Sequence, residues 1–151
     1  MSDKSNGLKT DNYGQFLDRI KKNIQRSQIK AAMAVNQELI LLYWRIGKEL
    51  TEKIDREEWG SKIITTIASD LARSFPDLSG FSYRNLNYMK KFAQAYSDPN
   101  CAAAAAQIPW GHNMVIMDKV ESDDKRLWYV QKCLENGWSR SVLIMTKSAQ
   151  N

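Results

Sequence analysis

Between Ile29 and Ile54 the apolar side chains Ile29, Met33, Ile40, Tyr43, Leu50 and Ile54 recur in steps of three and four, with Asn36 and Gly47 in the two remaining seats of the seam. Steps of that size bring successive side chains to one side of a helix, so a long amphipathic helix is predicted. A second stripe, Ala32, Val35, Leu39, Leu42 and Ile46, runs beside the first and makes more than half of the circumference apolar around Leu39 to Ile46. Such a helix needs partners on two sides. Upstream, Tyr13, Phe16, Leu17, Ile20 and Ile24 keep the helical spacing, behind a polar stretch, residues 1–12, that reads as a disordered tail.

Gly60 interrupts the pattern, and Ser61 is placed to cap a helix carrying Ile63, Ile64, Ile67, Leu71 and Phe75. Pro76 and Gly80 stop that helix, after which Ser82 offers an N-cap to another running to about Tyr96. Residues 97–100 read as a linker, and the five alanines after Cys101 favour helix without a periodic pattern to anchor them. Three short helices follow: about His112 to Val120, one opened by Ser122 with Asp123 and Asp124, and one opened by Ser139 after the Asn136-Gly137 stop. Strict alternation is absent, although Ser141 to Thr146 is compatible with a short strand and hence with a small wing. The expected fold is all-α: one helical domain over 13–147, with a helix-turn-helix core that is winged if that strand forms, a long N-terminal helix, and a C-terminal tail at 148–151.

Composition narrows this picture modestly. The chain has 151 residues, 43% hydrophobic and 26% charged, the profile of a soluble globular domain. Twenty-two Lys and Arg against seventeen Asp and Glu give a net charge of +5, which suits a polyanionic partner without requiring one. No signal peptide opens the chain and no apolar run approaches the roughly 20 residues of a membrane span, so a cytoplasmic protein without a membrane partner is expected. Cys101 and Cys133 form no CxxC pair, and two thiols with one histidine do not make a four-ligand zinc site. No metal and no cofactor is expected.

His112, in Trp110-Gly111-His112-Asn113, has no nucleophile context and reads better as a group that caps or packs at a helix start than as a general base. No Gly-rich phosphate loop occurs. Pro76-Asp77 with Asp123-Asp124-Lys125 fits the bare PD…(D/E)xK string of metal-dependent nucleases, but that chemistry needs the second acid and the lysine side by side on a strand. Here Asp123 and Asp124 open a helix, so no catalytic residue is assigned.

The stretch after Ser82 is more informative. At about 100° per residue Leu86, Met89, Ala93 and Tyr96 share one side, while Arg84, Asn87 and Lys91 lie opposite, with Tyr88 flanking. The helix carries Arg84, Lys90 and Lys91 and no acid. Arg pairs bidentately with guanine and Asn with adenine, and Lys, Tyr and a helix N-terminus hold phosphate. Ser82, Tyr83, Arg84, Asn87, Tyr88, Lys90 and Lys91 are therefore the candidate DNA-binding residues, with a solvated helix face as the plain alternative. A second basic stretch, Arg19, Lys21, Lys22, Arg26 and Lys30 against Asp18 alone, has a local charge of +4 and supplies candidate phosphate contacts.

Four strings, Leu42-Tyr43-Trp44-Arg45-Ile46-Gly47-Lys48, Phe81-Ser82-Tyr83-Arg84-Asn85-Leu86, Gln107-Ile108-Pro109-Trp110-Gly111-His112-Asn113 and Glu135-Asn136-Gly137-Trp138-Ser139-Arg140, resemble in order the N-terminal domain of the YhcG family over about residues 15 to 147. The resemblance implies a helix-turn-helix-like, DNA-binding domain of a bacterial protein, usually joined to a C-terminal nuclease domain of the PD-(D/E)xK type. The chain stops at Asn151, so that domain and its catalysis are not expected here. The expected function is thus a DNA-binding or targeting domain acting on double-stranded DNA. The alternative is an interaction module whose long helix pairs with itself as a homodimer or with a separate PD-(D/E)xK nuclease subunit. All five tryptophans, Trp44, Trp59, Trp110, Trp128 and Trp138, are expected in the core.

Overall fold

The structure, a computed structural model, describes residues 3–60 and 62–149, with side chains from residue 12 onward. Seven helices and no strand occur among the described residues: α1 (Asp3–Glu57), α2 (Ile63–Ser74), α3 (Tyr83–Ala95), α4 (Pro99–Ala105), α5 (Trp110–Lys119), α6 (Asp123–Asn136) and α7 (Arg140–Ala149). The fold is all-α. Chain contacts divide it into two units, residues 1–35 and 36–151. Most of the tail expected at 1–12 falls where no side chain is described, although α1 is drawn from Asp3.

Capping chemistry sets most of the boundaries. Ser82 Oγ accepts from the Asn85 N–H at 3.2 Å and Ser122 Oγ from the Lys125 N–H at 3.2 Å, so each serine satisfies a donor that the first helical turn leaves open. Ser139 does the same for Val142 at 3.2 Å. Gly137 closes α6 in the left-handed region at φ 60°, where a Cβ would be strained. Ser61 lies outside the described residues, and α2 has Lys62 at its N-cap without a side-chain capping bond.

One expectation changes, and one stretch the sequence left open is decided. Ser141 to Thr146 is not a strand but lies inside α7, because the Ser139 cap starts a helix that buries Leu143. Among the described residues there is thus no wing. The alanine run does become helix: Asp98 caps α4 by accepting from the Asn100 N–H at 2.8 Å, and Ala102, Ala105 and Ala106 are fully buried where α4 packs on α6. Small side chains there let the two helices approach closely.

In the unit 36–151 the core has two clusters. Phe92, Tyr96, Ile108, Ile116, Val130, Cys133 and Leu143 gather with Ile40 and Trp44 in one, and Leu86, Met89 and Ile64 with Tyr43 and Leu50 in the other. Trp110 touches both, its ring centroid lying 5.0 Å from that of Tyr43 and 5.1 Å from that of Phe92 in edge-to-face geometry. Gly47 is the reason α1 lies tight against α3, since a Cβ there would stand 1.9 Å from the Met89 carbonyl oxygen. The seam Ile40, Tyr43, Gly47 and Leu50 is thereby covered within this unit, while Leu39 and Leu42 of the second stripe stay more than a third exposed. Of that second stripe Ile46 packs against the core, so cover on the second side is partial.

In the unit 1–35 the described residues belong to α1 alone, and nearly all of their side chains are exposed, Tyr13, Phe16 and Ile24 among them. No helix of the described residues is long and apolar enough to cross a membrane.

Candidate nucleic-acid interface

α3 is positioned by its apolar side. Leu86, Met89 and Phe92 are fully buried and Tyr96 almost so, which fixes the opposite side toward solvent. Its N-terminal end is held by Asn85, which sits at the centre of a small polar hub. Asn85 Oδ1 accepts from the Trp110 indole N–H at 2.7 Å, and its Nδ2 donates to the Gly80 carbonyl at 2.5 Å. Tyr43 also hydrogen-bonds Asn85, and burial pushes its phenol above the ordinary value against that bond. Gly80 has φ +100°, and a Cβ there would meet the Tyr43 hydroxyl at 2.4 Å. The turn entering α3 is consequently fixed by glycine and by a side-chain lock.

On the outer side Tyr83, Arg84, Asn87, Tyr88 and Lys91 line one shallow cleft, but they share it with Asp118 of α5. The Tyr88 hydroxyl donates to Asp118 Oδ2 at 2.6 Å and Lys91 Nζ to Asp118 Oδ1 at 3.0 Å. The hydrogen bond to Asp118 holds the Tyr88 phenol above its usual value. Partial burial pushes the Asp118 carboxyl upward, but the bonds from Tyr88 and Lys91 outweigh it and hold that carboxyl below the usual aspartate value. The Arg84 guanidinium lies over the Tyr88 ring, 5.3 Å from its centroid, and makes no ion pair described in the structure.

The sequence-assigned residues therefore separate into groups. Tyr83 and Arg84 are exposed and available. Asn87 turns its amide onto the Tyr83 carbonyl at 3.0 Å, and Ser82 serves as the N-cap. Tyr88 and Lys91 are engaged by Asp118. Lys90 is half-buried in a different groove with Ile54, Trp59, Ile63 and Ile64. Arg19, Lys21, Lys22, Arg26 and Lys30 are exposed on the α1 segment of the other unit. Asp118 was missed because it lies 27 positions beyond Lys91 and no spacing rule on α3 points to it.

Candidate chemistry elsewhere is structural. His112 Nε2 lies 2.8 Å from the Trp138 carbonyl, tying α5 to the turn before α7. Asp123 pairs with Arg126 at 2.7 Å within the first turn of α6, and Asp77 lies in the connection between α2 and α3, so the PD…(D/E)xK string forms no strand site. Among the described residues, no group of three or more His, Cys, Asp or Glu side chains is arranged to hold a metal ion. Trp44, Trp110 and Trp138 pack in or against the core, whereas Trp59 is 42% and Trp128 41% exposed, which corrects the expectation for those two.

The helices, their caps and the hub of Tyr43, Asn85 and Trp110 define a small all-α domain built around one polar-faced helix. The chain belongs to the DUF1016 N-terminal domain family, whose sequence profile matches residues 19–150, and this is the YhcG N-terminal family that its four motifs resemble. No curated protein and no solved structure matches the chain.

Proposed function

We propose that this domain binds duplex DNA through the outer face of α3 and serves as the targeting part of a nuclease-related bacterial protein, with no catalysis of its own. The observation that carries the reading is the pairing of a fully buried side, Leu86, Met89 and Phe92, with an exposed Tyr83–Arg84 end on a helix that bears three cations and no acid. An exposed helix end of that kind supports insertion into a major groove, with Arg84 at a base edge and the first-turn N–H groups toward phosphate.

Two observations shape the reading. The α2–α3 connection, residues 75–82, is eight residues long, against the three to four of an ordinary helix-turn-helix, so α3 is presented by a looser variant of that motif. Asp118 neutralises Lys91, so the first contacts come from Tyr83 and Arg84. Fluorescence anisotropy of the protein with labelled duplexes tests the proposal. Arg84→Ala is expected to weaken a preferred site by about 1–3 kcal/mol and flatten discrimination. Absence of binding to any duplex at low salt overturns it.

A further inference from the structure

The residue 12–35 segment of α1 carries a pattern that the α3 face does not use. Tyr13, Leu17, Ile20, Ile24, Ser27 and Ala31 recur in steps of four and three, the heptad spacing of a two-helix seam. Tyr13 is 61% and Ile24 52% exposed, and Ile20, Ile24 and Ala31 line one groove with Asn23, Ser27 and Gln28. Arg19, Lys22 and Arg26 follow in steps of three and four on the half of the helix turned away from that seam, at about 100° per residue, and Lys30 borders the seam beside Ala31.

From this division of charge we infer that the segment pairs with the same segment of a second copy of the chain, forming a short two-helix coil whose basic stripes point outward. A helix that chose a charged foreign partner would carry its charges beside the seam, where e and g positions sit. Here the positions beside the seam hold Gly14, Phe16, Asn23 and Gln28 with the cations Lys21 and Lys30, and in a parallel pairing in register those two lysines face the uncharged Phe16 and Val35 of the second copy, while Arg19, Lys22 and Arg26 lie on the far side. An identical helix meets little like-charge repulsion in that arrangement. Ser27 and Ala31 are small enough for two backbones to approach, and the amides of Asn23 and Gln28 have hydrogen-bonding counterparts in their own copies. A lipid surface suits the segment less well. The stripe is only two seats in seven, and those bordering amides would lose water without gaining partners in hydrocarbon. The homodimer contact expected along Ile29 to Ile54 is thereby relocated, since Ile40, Tyr43 and Leu50 are already buried within their own unit.

Light scattering and sedimentation equilibrium of the full chain test the pairing. A concentration-dependent monomer–dimer equilibrium is expected. Ile20→Glu combined with Ile24→Glu should raise its dissociation constant by about a hundredfold or more, since carboxylates would replace buried apolar side chains. Gln15→Glu combined with Gln25→Glu places the same two charges off the seam and should change it by less than about threefold. Near-ultraviolet circular dichroism, reporting on Trp110 and Tyr43 in the other unit, verifies that each variant remains folded. A chain that stays monomeric at ~1 mM overturns the inference. So does a dimer indifferent to Ile20 and Ile24, and so does a monomer that binds anionic vesicles through those same residues.

Discussion

Asn85 is the residue on which the entry to α3 depends, because it satisfies the Trp110 indole N–H and the Gly80 carbonyl together. Asn85→Ala would leave a part-buried donor without a partner, and a loss of about 1–3 kcal/mol in urea denaturation is expected. Asp118 acts at the same scale on the binding face. Its carboxyl is held below the usual aspartate value, so its contribution to stability is present above that value and fades as pH falls through the lowered one. Asp118→Asn should flatten the acid limb of a stability–pH profile. The same substitution frees Lys91 and removes a negative charge from the cleft, so duplex affinity measured at neutral pH should rise rather than fall. Cys133 gives a third expectation at this scale: burial pushes its thiol up to about 11, so a thiol reagent at neutral pH should label it only when the protein is unfolded.

Among the elements, the contact of α1 with α3 is the most demanding. At Gly47 a Cβ would stand 1.9 Å from a backbone oxygen of α3, an atom that moves only if the whole helix moves. Gly47→Ala is therefore expected to cost at least the ~1–3 kcal/mol of an overpacked core, read as a lowered melting temperature. Gly14 makes the contrast, since nothing lies within 4 Å of its Cβ position. Gly14→Ala should raise helicity and leave the core unaffected, with a gain of about 0.5–1 kcal/mol in helix stability. α7 shows how elements escape sequence reading. Val142, Leu143 and Ile144 favour a strand locally, but the Ser139 cap and the burial of Leu143 make the stretch helical.

For the whole molecule, binding should carry the signature of a modest cationic surface. If about four phosphates are contacted, the logarithm of duplex affinity should fall against the logarithm of salt concentration with a slope of roughly −3 to −4. The four family motifs meet in the core: Tyr43 and Asn85 join Trp110, and His112 joins Trp138. They are therefore motifs of fold before they are motifs of function. By itself the sequence determined the long α1, the helices α2, α3, α5 and α6, the caps at Ser82, Ser122 and Ser139, the stop at Gly137 and the buried side of α3. Each of these depends on residues within a few positions of one another, and spacing reads such relations directly. Only the tertiary structure decided that Asp118 occupies the cleft beside Tyr88 and Lys91, that Gly47 brings α1 against α3, and that Trp59 and Trp128 stay exposed. Those outcomes join or separate side chains dozens of positions apart, and they are set by how helices pack rather than by any local pattern.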